Sequence, residues 1–196
     1  MVEKIQKNKI PLVGELPEPD DRVFDNTKKE KPQRKKQTLQ VRFGDLTSKN
    51  FEQMRVLNYL TLPVIYSENF YDMLKNMTRY SKFAYVKDVL VGAISCKEDI
   101  LDTGERVCYI MTITVLEPYK RYGIATQLLQ KAIQECMRDR KVKKMTLHVQ
   151  SNNECALEFY KKNGFTVSEH LLDYYTDLEP SDCYILDKVI DLEEQK

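Results

Sequence analysis

Apolar positions along the chain recur with two periods. Leu39, Val41 and Phe43 alternate, which predicts a short strand ending at Gly44-Asp45. With Thr47 or Ser48 as a cap, Phe51, Met54, Leu57 and Leu60 recur every third residue and predict a helix that Pro63 ends. Leu62-Pro63-Val64-Ile65-Tyr66 is an apolar connector, unusual for a surface loop. Ser67 can cap a second helix with Phe70, Tyr71 and Leu74 on one face. The runs KFAYVK and VLVGAISCKEDI meet at Lys87-Asp88 and predict a hairpin. The turn Asp102-Thr103-Gly104-Glu105 leads into RVCYIMTITV, the most β-prone run of the chain. From Gly123 to Arg140, Ile124, Leu128, Ala132 and Cys136 fall at spacing four beside Ala125, Leu129 and Ile133, a helical stripe. KKMTLHVQ reads as a strand, and Asn152 to Asn163 as a helix closed by Gly164 in the left-handed conformation. FTVSEHLLDYYTDLEP and DCYILDKVI read as two strands around Glu179-Pro180. The order β-α-α-β-β-β-α-β-α-β-β predicts a mixed α/β domain of about seven mostly antiparallel strands and four helices.

Composition divides the chain. Residues 1–38 hold 9 of the apolar residues, 4 of the 7 prolines and a single aromatic, Phe24. That stretch cannot bury enough surface to offset its chain entropy, so we expect a disordered tail and a domain of residues 39–196. The run KKEKPQRKK, residues 28–36, is a solvated linker or else a nuclear localisation signal or polyanion contact. The whole-chain charge of +1 argues against bulk nucleic-acid binding, and we expect no sequence-specific nucleic-acid partner. No run approaches the length of a membrane span, and the N-terminus lacks the apolar stretch of a secretory signal. We therefore expect a cytoplasmic protein, with a nuclear fraction if the basic run acts as a signal. Cys96, Cys108, Cys136, Cys155 and Cys183 are scattered without a C-x-x-C pair, and the only histidines are His148 and His170. This pattern suggests reduced, buried thiols and no metal site.

One segment carries a charge argument of its own. After the β-prone run, Tyr119-Lys120-Arg121-Tyr122-Gly123-Ile124-Ala125-Thr126 opens a helix. A helix start leaves backbone N–H groups free and adds partial positive charge, while Gly123 and Ala125 permit close approach. The segment is an anion site or, equally, an ordinary helix start with two surface cations. It is neither a Walker A loop nor a G-x-G-x-x-G motif.

K-R-Y-G-I-A-T after a strand resembles the pyrophosphate loop of the GCN5-related N-acetyltransferases, the GNAT superfamily. Asn152-Asn153-Glu154 with Ala156-Leu157-Glu158-Phe159-Tyr160 resembles the second cofactor helix of that fold, and Phe159-Tyr160-Lys161-Lys162-Asn163-Gly164-Phe165 its closing signature. L-P-V-I-Y (62–66), Y-I-M-T (109–112), L-H-V-Q (147–150) and Y-Y-x-x-x-E-P (174–180) narrow the resemblance to San-type N-terminal acetyltransferases, the catalytic subunits of NatE. The resemblance implies a GNAT fold with a twisted, mostly antiparallel central sheet. It implies acetyl transfer from acetyl-CoA to the N-terminus of proteins that begin with Met and an apolar or other residue. The implied partners are peptide N-termini, subunits of the N-terminal acetyltransferase A complex and the ribosome.

The same resemblance assigns residues. A free α-amine has a pKa of about 7.7–8.0, so a base must take its proton near neutral pH. Tyr109 and His148 are the implied pair. Tyr109, Met111 and Ile113 are expected on one face of their strand, and His148 points away from Met145, Leu147 and Val149. Tyr160 is expected beside the CoA sulfur, helping the thiolate leave. A backbone N–H at a strand bulge near Ile113 is expected to polarise the thioester carbonyl. The cofactor site comprises Ile113, Val115, Lys120, Arg121, Tyr122, Gly123, Ile124, Ala125, Thr126, Asn153 and Tyr160. The peptide site comprises Leu62, Pro63, Val64, Tyr66, Met111, Tyr174, Tyr175 and Leu178. Two departures stand out. Lys120 replaces the usual Arg or Gln and loses bidentate phosphate recognition. Leu62 stands where the resemblance implies Phe, which could change first-residue preference. The alternatives are acetylation of lysine or another amine, and a CoA-binding, non-catalytic subunit of a ribosome-associated complex.

Overall fold

The computed structural model describes residues 39–76, 78–176 and 178–190, together with the backbone of Lys4–Ile5. The expectation of a disordered tail over 1–38 otherwise lies outside the described residues. Strand β1 (Lys4–Ile5) pairs antiparallel with β3 (Ile65–Tyr66). The other elements are β2 (Val41–Asp45), α1 (Phe51–Thr61), α2 (Glu68–Asn76), β4 (Lys82–Val86), β5 (Val89–Ile100), β6 (Arg106–Val115), α3 (Ile124–Asp139), β7 (Val142–Gln150), α4 (Glu154–Lys162), β8 (Thr166–Leu171) and β9 (Cys183–Val189). Seven strands form one sheet in the order β2-β4-β5-β6-β7-β9-β8. Every neighbouring pair is antiparallel except β6 and β7.

Helices cover both faces. On one side Ile124, Leu128, Leu129, Ala132 and Cys136 of α3 pack with Ile94, Cys108, Ile110, Met145, Leu147 and Leu186 of the sheet. On the other, Phe51, Met54 and Leu57 of α1 and Phe70, Tyr71 and Leu74 of α2 pack on Phe83 and Ala93. Gly92 lets α3 approach β5. A Cβ there would lie 3.1 Å from Thr114 O, 3.2 Å from Val115 Cγ2 and 3.3 Å from Ile124 Cγ2.

Local chemistry explains where elements begin and end. Leu62 is extended, as the residue before Pro63 must be, and α1 stops there. Helix α1 starts three residues after Ser48, so neither Thr47 nor Ser48 caps it. Asn50 is at the cap position instead. Its Oδ1 accepts from Thr47 N at 2.7 Å and its Nδ2 donates to Asp45 O at 2.9 Å, shaping the preceding turn. Leu60 is 64% exposed while Asn58 is buried. A stripe at spacing three drifts around a helix of 3.6 residues per turn, so its fourth member has left the buried face. Gly164 takes φ +82 as expected. The late segment forms two strands, but the described residues between them, 172–176 and 178–182, are loop and include Tyr174, Tyr175 and Leu178. Cys96, Cys108, Cys136 and Cys183 are buried thiols, whereas Cys155, in the first turn of α4, is exposed. No helix among the described residues is long and apolar enough to cross a membrane.

Candidate active site

The site begins where two strands part. Strands β6 and β7 pair from Arg106 with Val142 to Tyr109 with Thr146. Beyond that point β6 pairs with β5 up to Val115, and β7 with β9 up to Gln150. The strands diverge, and the gap is walled by Ile110–Val115 on one side and Leu147–Gln150 on the other. No β6–β7 ladder pairing joins the two walls beyond Tyr109 and Thr146.

A bulge shapes the β6 wall. The register runs Ile110 opposite Cys96 and Thr112 opposite Ser95, so Met111 has no partner on β5. An extra residue reverses the alternation beyond it. Met111 packs with the α1–α2 layer, whereas Ile113 and Val115 pack with the α3 layer. The expectation that Tyr109, Met111 and Ile113 share one face therefore fails at Ile113. The bulge itself lies two residues before the position expected. The Ser95 and Thr112 hydroxyls, 2.5 Å apart and buried, hold it in place.

Tyr109 and His148 meet on the α1–α2 side of the sheet, just beyond the last β6–β7 pair. The Tyr109 hydroxyl is 3.0 Å from His148 Nδ1. Met145, Leu147 and Val149 are buried on the opposite face, so His148 takes the orientation its alternation predicted. The Tyr174 ring stacks on His148 at 4.7 Å and 20°. Burial lowers the pKa of His148, favouring the neutral imidazole; Asp187 and Glu169 oppose this and Lys97 adds to it. Burial raises the pKa of Tyr109, with nearby Tyr174, Tyr175 and Tyr66 adding to it, so the phenol keeps its proton. Lys97 Nζ lies 5.3 Å from the centroid of the Tyr109 ring, a neighbour that sequence patterning missed. Lys97 pairs across the sheet with Tyr109, a register that no local motif carries.

Above this pair stand the apolar connector and the late loop. Tyr66 stacks on Phe70 at 4.0 Å, and burial pushes its pKa up to about 12. Tyr174 and Tyr175 meet edge to face at 5.0 Å. Gln150 Nε2 donates to Pro180 O at 2.8 Å, and Tyr175 N to Ser181 O at 2.8 Å, which fixes the loop against β7. Leu62, Val64 and Leu178 are half-buried, and Pro63 is exposed.

The start of α3 has the features of an anion site. Gly123 is its N-cap at φ +76, and Arg121 is also left-handed at φ +67. Among the described residues, each of the other three α-helices has a glutamate in its first turn: Glu52, Glu68 and Glu154. Helix α3 has no acidic residue there and no side-chain cap. Its partial positive charge therefore meets no carboxylate of its own first turn. Arg121 and Tyr122 are exposed, while Ala125 and Thr126 are half-buried. Lys120 is already engaged, its Nζ 2.5 Å from Glu117 Oε2, which leaves Arg121 as the better placed cation. Ile124 and Val115 are buried, so their side chains serve the core and only their backbones can serve a ligand. Asn153 caps α4, accepting from Ala156 N at 3.1 Å, which leaves its amide nitrogen for other contacts. Tyr160 is buried between Phe159 and Phe165.

Known proteins resemble this chain in sequence and fold. The model of the acetyltransferase (GNAT) family matches residues 48–165. The chain is 38% identical over 148 residues to N-alpha-acetyltransferase 50 of Danio rerio, covering 76% of this chain and 88% of that protein. It is 37% identical over 150 residues to the probable N-acetyltransferase san of Drosophila melanogaster, covering 76% and 81% respectively. Among solved structures, Arabidopsis thaliana Naa50 in complex with the bisubstrate analogue CoA-Ac-MVNAL superposes with a TM-score of 0.69 at 37% identity. That match covers 76% of this chain and 97% of that one. With the motifs, the parted strands and the family match in agreement, the chain belongs to the GNAT family of acetyltransferases.

Proposed function

We infer that the protein is an N-terminal α-amino acetyltransferase that uses acetyl-CoA and acts on peptides beginning with Met. The Tyr109–His148 contact carries this reading. It sits where the β6–β7 gap opens toward the apolar connector and the tyrosine loop. Both relatives named above carry N-acetyltransferase names, and the Arabidopsis structure holds a bisubstrate analogue, CoA-Ac-MVNAL.

Acetyl-CoA, when bound, supplies an activated acetyl thioester. The free N–H groups at the start of α3, with Gly123 and Arg121, suit its pyrophosphate, and Lys120, Tyr122, Ala125 and Thr126 border that position. Asn153, which caps α4, is assigned a cofactor contact, and Tyr160, on α4, the position beside the CoA sulfur, where it helps the thiolate leave. The β6 edge around Ile113 offers backbone N–H donors where negative charge develops, already oriented by the bulge.

The acceptor side follows from pKa. His148 is neutral at neutral pH, so it can take a proton; Tyr109 cannot lose one there without help. His148 therefore takes a proton from the substrate's ammonium group, with the Tyr109 hydroxyl relaying or orienting it. The free amine then attacks the thioester carbonyl, forming the C–N bond as the C–S bond breaks and the CoA thiolate leaves. Leu62, Pro63, Val64, Tyr66, Met111, Tyr174, Tyr175 and Leu178 are assigned to the acceptor side, and their mainly apolar surface suits a methionine side chain. The test is steady-state kinetics with a Met-Leu peptide. His148→Ala and Tyr109→Phe should each lower kcat by about 10²- to 10⁴-fold while leaving acetyl-CoA affinity nearly unchanged. Unchanged turnover in both would reject these roles.

Docking on subunits of the N-terminal acetyltransferase A complex and on the ribosome, in the cytoplasm, extends this reading. Co-purification of the full chain with such partners tests it.

A further inference from the structure

Two threonines outside the roles assigned so far join the acceptor wall to the catalytic strand. Thr61 is the last residue of α1, directly before Leu62. Thr114 lies on β6, five residues after Tyr109, and faces α1. Thr114 Oγ1 donates to Thr61 Oγ1 at 2.5 Å, and Thr61 Oγ1 donates onward to Leu57 O at 2.6 Å. Thr114 is 7% exposed.

The location gives this bond its meaning. Leu62 N makes the last helical hydrogen bond of α1, to Asn58 O at 2.9 Å. Pro63 then has no N–H to offer. The chain regains regular structure only in the two-residue β3. Along the same stretch of β6, pairing with β7 has ended, so one edge of the strand is unsupported there. Two hydroxyls facing each other under a helix are costlier to bury than two aliphatic side chains that merely pack. A hydrogen bond, unlike apolar packing, fixes distance and direction.

We propose that the Thr114–Thr61 hydrogen bond is a positioning contact for the acceptor site. It sets the point at which α1 releases the chain into the Leu62–Tyr66 wall, and so the separation of that wall from Tyr109. This inference rests on the acceptor reading above and assigns no chemical step to either threonine.

The experiment uses the full chain with a Met-Leu peptide and acetyl-CoA. Thr114→Val should raise the peptide KM by about three- to tenfold, the span of one net hydrogen bond, with kcat changed less than about twofold. The acetyl-CoA KM and the pH profile should not move, and Thr114→Ser should restore the wild-type KM. Thr61→Val leaves the buried Thr114 hydroxyl unpartnered, so the double variant Thr61→Val/Thr114→Val should be no worse than either single one. An active wild type with an unchanged peptide KM in Thr114→Val overturns the proposal. So does a parallel loss of kcat and both KM values that Thr114→Ser does not repair. If the wild type does not acetylate the peptide, the functional reading fails instead. Hydrogen exchange over residues 62–66 then decides the contact itself, faster exchange in Thr114→Val supporting it and identical exchange rejecting it.

Discussion

Burial acts on Tyr109 and His148 in opposite senses as bases. It lowers the pKa of His148 from an ordinary value of 6.5 and raises that of Tyr109 from 10.0, so both remain neutral near pH 7. The acidic limb of kcat should therefore lie below pH 6.5. Activity is lost as pH falls through the lowered value, where His148 takes a proton, and is retained above it. The Tyr174 ring lies over His148, so Tyr174→Ala should admit water and move that limb upward toward 6.5, as a pH–rate profile would show. The sequence singles out Tyr109 and His148 by the short motif around each, and strand alternation gives His148 the face on which it meets Tyr109. The face of Ile113 was not legible, because a bulge at Met111 resets the alternation and leaves no mark in the pattern. Thr61 and Thr114 were not either, since their meeting depends on how α1 crosses β6.

At the level of elements, α3 connects the two halves of the account. Its N-terminus offers free N–H groups, and its buried stripe fixes it against β5 and β6. Gly92 is the contact that permits this approach. The Thr114 carbonyl and the β6 wall cannot yield freely, so Gly92→Ala should overpack this junction and destabilise the fold by about 1–3 kcal/mol. Thermal unfolding measures this, and an unchanged Tm would show that α3 can shift. Helices with strong spacing-four stripes were readable to within a residue or two. The spacing-three stripe of α1 was misread at Leu60, because propensity and polarity do not encode helical drift. The loop carrying Tyr174 and Tyr175 was read as strand, since aromatic residues favour strands until tertiary contacts, here Gln150 on Pro180, hold them elsewhere.

The whole molecule divides its work between the faces of one sheet. Helix α3, with the candidate anion site at its start, packs on one face. Helices α1 and α2, with the apolar connector, flank Tyr109 and His148 on the other. The gap between β6 and β7 joins the two sides. Composition leads to the expectation of one domain and a tail, and the +1 charge of the whole chain describes neither. Residues 39–196 sum to −2 and residues 1–38 to +3, from 21 Lys+Arg against 23 Asp+Glu and 10 against 7. The proposed function draws instead on local charge, Arg121 and the start of α3, with Lys120 held by Glu117. The division predicts that an amine must approach from the α1–α2 side, past apolar and tyrosine walls. An N-terminal Met suits that approach better than a lysine side chain flanked by backbone on both sides. Mass spectrometry tests this most directly. The full chain is incubated with acetyl-CoA and either a Met-Leu peptide or a peptide whose only amine is an internal lysine. Acetylation of the Met-Leu α-amine, with the lysine peptide unmodified or far slower, is the expected result; acetylation confined to the lysine peptide would contradict the account.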